Sequence, residues 1–222
     1  GLERLSTVAQ QTAVSPADSY PHTALSIMEA PQGSNLQTID VFQQATARDN
    51  WMLWGVMDIL PGATVPALTV KDEGASLLDS TSADGLVTSP EDVLAAYSSL
   101  NDKDDAQGLT FAEDRLRQTL SAGKESNKTA VEGAGEATMS FKSASEPTIS
   151  FGTEDGGALV VGQMNLNTQI KVTTEGAKIK LQSTIGTLGS GKAGGEIEVS
   201  GTMVADYTVL VAFDVPAADS MD

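Results

Sequence analysis

The chain contains no cysteine. Disulfide bonds, thiolate metal centres and cysteine nucleophiles are therefore excluded. Histidine is nearly absent as well. His22 stands alone, so a Ser-His-Asp arrangement would have to be built on it, with Ser19 or Ser26 nearby and an acid from elsewhere. Its setting between Pro21 and Thr23, at the start of an apolar run, reads instead as an edge or surface position. Cations are scarce: 13 Lys and Arg against 30 Asp and Glu leave a net charge of -17. Neutralising phosphates takes clustered Lys and Arg, which argues against nucleic acid and disfavours anionic membrane surfaces. No apolar run approaches the roughly 20 residues that span a bilayer, so direct membrane insertion by this segment is not expected. Aromatic residues make up only 5% of the chain. Nothing in the sequence calls for a cofactor or picks out a metal site.

What is present suffices for a fold. With 222 residues and 40% hydrophobic content, the chain can bury a proper core as one large domain or two small ones. The opening Gly1-Leu2-Glu3 carries neither an initiator Met nor a signal peptide and reads as a cut or processed end. Further sequence is expected upstream, including any export signal or anchor.

From Gly1 to about Pro21 a weak helical spacing through Leu2, Leu5 and Val8 predicts a short helix or an extended lead-in. Apolar, β-prone runs at 23–28, 36–46 and 50–60 are separated by turn signals and predict an antiparallel meander over 1–72, which would be the truncated last part of a first domain. Residues 73–88 mix Pro, Gly, Ser, Asp and Thr and read as a linker. Ser89-Pro90-Glu91-Asp92 is a helix start, with Ser as N-cap, Pro at the first helical position and acids facing the positive end of the dipole. Thr110 and Glu113 suggest a capping box for a second helix. Strand texture then returns at 138–143, 148–151, 158–165, 169–174, 178–183, 196–203 and 207–215, with 186–195 read as a flexible loop. Two helices followed by antiparallel strands over 89–222 give an α+β domain of curved antiparallel sheet with helices packed on one face.

One strand occurs in two similar versions. Asn50 to Leu60 and Asp206 to Pro216 align without a gap, placing Trp51 on Tyr207, Met57 on Phe213 and Asp58 on Asp214, and each version closes at a proline, Pro61 or Pro216. The match suggests two related units. In the first version large apolar groups alternate on both sides, since Trp51 and Leu53 interleave with Met52 and Trp54. This predicts a strand covered on both faces, one cover being upstream sequence or a partner chain. Trp51, Met52, Trp54 and Met57 are accordingly the candidate binding patch. Asp214, with Asp58, is the candidate carboxylate, because a partly buried acid in a cavity could act as a base with a raised pKa.

Two further motifs fall short. Asp102, Asp104 and Glu113 match positions 1, 3 and 12 of a calcium-binding loop, but Ala106 supplies no ligand at position 5 and Gln107 replaces the glycine of the sharp turn. Gly186 to Lys192 echoes a phosphate loop, yet Ala193 stands where the magnesium-binding hydroxyl is needed.

The order of a helix pair and then a long meander resembles the cone-shaped fold of nuclear transport factor 2-like proteins. Ala158-Leu159-Val160-Val161-Gly162 after Asp155-Gly156-Gly157, Asp49 to Trp54 leading into Leu60-Pro61-Gly62, and Ser89 to Tyr97 resemble a family of exported or lipid-anchored actinobacterial proteins of unknown function. That resemblance implies an exported, cell-envelope location and supplies no catalytic residues. The expected function is a noncatalytic binding or scaffolding module, acting on another protein or as a homodimer. The alternative is a small-ligand-binding or enzymatic cone-like domain that uses a cavity carboxylate.

Overall fold

The computed structural model describes residues 8–30 and 33–221. Leu2 and Leu5, which carried the helical spacing, lie outside them. The fold is α+β, with antiparallel sheets that do not close and helices packed on sheets. The first sheet has the order β1 (Ala9–Val14), β2 (His22–Met28), β3 (Thr38–Gln44), β4 (Met52–Asp58). After α1 (Pro90–Lys103) and α2 (Arg115–Ala130) come β5 (Gly135–Ser143), β6 (Ile149–Gly152) and β7 (Ala158–Val172). A hairpin of β8 (Ile179–Leu181) and β9 (Ile197–Val199) encloses α3 (Ser183–Ser190), and β10 (Thr202–Val215) follows. The second sheet runs β10-β7-β5, with β6 also paired to β7.

The chain forms two compact units, and neither is one continuous stretch of sequence. The first comprises residues 1–96, 143–163 and 210–222, the second 97–142 and 164–209.

In the first unit, alternation sets the core. Leu25 and Ile27 of β2 face the same side as their partners Val41 and Ile39 of β3, and Ala13 of β1 joins them. Ile149, Phe151, Leu159 and Val161 of β6 and β7 pack into this same cluster, so it is built from residues more than a hundred positions apart. Ala158 to Gly162 are all buried, because α1 lies on the other side: a Cβ on Gly162 would meet a Leu94 methyl at 2.8 Å. The segment 73–88 runs inside this unit, bonded through Ala75 N to Val14 O, Leu78 N to Ser150 O and Val87 N to Pro216 O.

α1 starts where its sequence predicts. The Ser89 hydroxyl accepts from Asp92 N at 3.1 Å and donates to the Asp92 carboxylate at 2.7 Å. α2 does not start at Thr110. Its N-cap is Asp114, whose carboxylate accepts from Arg117 N at 2.7 Å and from the Tyr97 hydroxyl at 2.9 Å, so a charged cap held by a tyrosine displaces the Thr110 box. Gly123 lies inside the helix, packed on Met139.

In the second unit Ile170, Ile179, Leu181, Val199 and Val131 form a smaller core, and the lysines alternating with them point outward to ion pairs, Lys180 with Glu196 and Lys178 with Glu198. The strands predicted at 158–165 and 169–174 are one strand. The polar residues between them continue the alternation, Asn165 exposed and Thr168 buried. The glycine-rich stretch 186–195 is not a flexible loop, since α3 occupies its first part. Its glycines permit close approach: a Cβ on Gly186 would lie 2.2 Å from Gly195 O and 2.6 Å from Leu181 O.

Candidate functional site

β4 ends the first sheet, and its entry is the most exposed apolar stretch among the described residues of that unit. Trp51 is 42%, Met52 67% and Leu53 43% exposed. Among the described residues of this chain, then, the entry of β4 has no cover on its outer side. The ladder explains the split. Between Val41 and Phe42 the β3–β4 register shifts, so that Val41 faces Gly55 while Phe42 faces Leu53, and Trp54 is the extra residue of the bulge. Trp54 and Met57 pack against the buried core, and Gly55 is covered by Leu210, whose methyl lies 2.6 Å from where a Cβ would stand. The candidate patch thus divides: Trp51 and Met52 face solvent, Trp54 and Met57 face inward.

Sequence spacing alone does not bring His22 to this patch. The register does, because His22 pairs with Gln44 near the start of β4. Its ring lies 5.0 Å from Trp51 and 6.1 Å from Tyr20, centroid to centroid. The His22 Nε2–H donates to Ser15 O at 2.5 Å, which fixes the ring and leaves that nitrogen engaged. His22 is thus the middle ring of an aromatic row running from an exposed tyrosine to an exposed tryptophan. The signal that could find it is the pairing of two apolar runs across the 36–46 strand.

Asp214 lies near the end of β10 and is exposed. Partial burial pushes its pKa up, and the neighbouring Asp155 adds to the shift. Asp155 moves the opposite way, because the Thr153 hydroxyl and Gly157 N donate to its carboxylate. Asp58 is exposed too, opposite Thr38. Asp214 is far along the chain from the Trp51 patch and no described bond joins them.

The calcium-like loop is engaged in structure instead. Asp102 accepts from Phe141 N at 3.0 Å, Glu113 is exposed ahead of α2, and Gln107 takes a left-handed φ of 51° with its N–H on Asp105. Lys124 donates to Asn101 O at the end of α1 and lies 4.9 Å from the Phe141 ring centre. Among the described residues no three His, Asp or Glu side chains converge as a metal site. Open clefts of about 360 Å³, lined by 172–178 and Ser200, and about 340 Å³, lined by Asn165, Asp206, Tyr207 and Thr208, lie on the second unit. Neither includes Asp214.

Residues 24–216 match the model of a family described as Domain of unknown function (DUF8094). The chain belongs to that family. The match runs from within β2 to β10 and takes in Trp51 and the carboxylate Asp214, while Tyr20 and His22 precede it. No curated protein and no solved structure matches the chain. The family description names no ligand or activity.

Proposed function

We propose that this chain is a noncatalytic binding or scaffolding module of an exported cell-envelope protein, with the entry of β4 as its contact surface. The observation that carries the reading is the run Trp51, Met52 and Leu53, three large apolar side chains in water on an edge strand. Leaving such a run exposed costs solubility, and surfaces of this kind are where partners dock. The residues that catalysis would use point the same way: His22 is fixed between two rings, and Asp214 stands at the surface. Export is what the sequence resemblance to exported actinobacterial proteins implies, and an acid-rich composition is compatible with it.

The test is cross-linking in cells that make the full-length protein, comparing the natural chain with Met52→Lys and Leu53→Lys. The reading expects a reproducible set of cross-linked partners in envelope fractions that both variants lose. Equal cross-linking by the variants, or protein confined to the cytosol, would overturn it.

A second reading has one observation of its own. Asp214 and Asp155 are neighbouring carboxylates with pKa values pushed apart, the pattern by which acids divide proton-transfer roles. Turnover of a small substrate that Asp214→Asn abolishes would favour it.

A further inference from the structure

Exposed strand edges invite pairing, and the first unit covers most of its own. β1 is met by Leu68 N, which donates to the Gln11 side chain at 3.0 Å, and by Ala75 N on Val14 O at 2.7 Å. β6 is met by Thr69 N on Gly152 O and Leu78 N on Ser150 O. The residues just after β10 are met by Leu86, bridged to Ala217, and by Val87 N on Pro216 O. One segment, residues 67–87, does all of this. Among the described residues no backbone bond reaches β4 from the side away from β3.

That side carries open hydrogen-bonding groups. Ile59 N donates to Gln37 O at 2.8 Å, and the antiparallel ladder alternates from there. Met57 therefore pairs with Ile39 through backbone bonds, while Val56 and Asp58 turn their N–H and C=O groups outward. From Asn50 to Met57 the strand holds no charge and no proline, two of the usual protections of a natural edge, and its bulge at Trp54 is the one such device it has.

We propose that β4 pairs antiparallel with β4 of a second copy of this chain, forming a two-fold dimer. This rests on the reading of β4 as a contact surface and names its occupant. The local pair Arg48 and Asp58 favours a copy and sets the direction, against the net charge of -17 that each chain carries. Antiparallel pairing brings the start of one strand, which follows Arg48, beside the end of the other, which carries Asp58, and a two-fold axis makes that contact twice. Both residues are exposed. Asp49 lies beside Arg48 and keeps its charge, its carboxylate accepting from the Thr46 hydroxyl of its own hairpin at 2.7 Å. Parallel pairing would instead set Asp58 against Asp58.

Sedimentation velocity of the 222-residue chain from about 1 µM to about 500 µM, a span bracketing micromolar dissociation constants, reads the dimer directly. The natural chain shifts from monomer to dimer. Met52→Lys and Leu53→Lys weaken association at least about tenfold with unchanged melting. Arg48→Asp weakens it as well, and Arg48→Asp combined with Asp58→Arg restores it. Hydrogen exchange of the unaltered chain gives a readout free of any variant, the Val56 and Asp58 amides becoming protected as concentration rises. A monomer throughout the range, or a dimer indifferent to the lysine variants, overturns the proposal. A monomer whose cellular cross-links still depend on Met52 and Leu53 sinks self-pairing alone. A β4 dimer that captures nothing in cells sinks the wider reading and leaves the dimer standing.

Discussion

Asp40 sits on β3 with 1% of its surface exposed, and the Thr38 hydroxyl donates to it at 2.7 Å. Burial raises its pKa above the ordinary 3.8, with the Thr38 bond offsetting part of the rise. Between the ordinary and the folded value the folded chain binds more protons than the unfolded one, so stability falls as pH rises through that window and stays lower above it. Asp40→Asn keeps the acceptor for Thr38 and removes the charge. It is expected to melt higher than the natural chain at pH 7, the gap closing at about pH 3, below the ordinary carboxylate value. Thermal scans at the two pH values check this, and an equal gap at both contradicts it. The hydroxyls of Thr148 and Ser150 are buried with no partner among the described residues. Thr148→Val keeps the shape and removes an unpaired donor, for an expected gain of about 1 kcal/mol, or about 2 to 4 °C in a chain of this size. A loss of stability would mean that the hydroxyl is satisfied after all. None of this was legible in the sequence, because burial of Asp40 depends on neighbours that strand pairing supplies.

At the scale of elements, the signals that are local in the chain were the ones that could be read. The Ser89 to Asp92 cap works within four residues, and α1 begins there. The lysines of β7 and β8 alternate with apolar neighbours and stand in water. α3 was missed for the opposite reason. Gly186 looks like a flexible residue, but its partners are the carbonyls of Gly195 and Leu181, which only the folded hairpin brings near. Backbone atoms cannot step aside as a side-chain tip can. Gly186→Ala is thus expected to cost more than about 2 kcal/mol and to raise hydrogen exchange in α3, β8 and β9, whereas an effect within about 0.5 kcal/mol would show the approach to be loose. Half of the candidate patch was legible: the apolar run at 51–54 is where the exposed edge lies, but the bulge that sends Trp54 inward and Trp51 outward has no signature in composition.

For the whole molecule, a break of sequence texture is not a break of structure. Residues 73–88 look like a connection and act as the covering of the first unit. The core they cover joins Leu25 and Val41 to Phe151 and Leu159, so separating the chain after residue 88 divides it. Fragments 1–88 and 89–222, produced separately, are expected to give poorly dispersed amide spectra or to aggregate, and to recover the dispersion of the whole chain when mixed. Two independently folded fragments would contradict this assembly.

The same division has a cost in time. The sheet ending at Asp58 is complete long before Phe151 leaves the ribosome, and the gap is about 90 residues. At roughly 5 to 20 residues per second, the apolar face of Leu25, Ile27, Ile39 and Val41 waits about 5 to 20 s for its partner. During synthesis that face, rather than β4, is the one a chaperone would meet first.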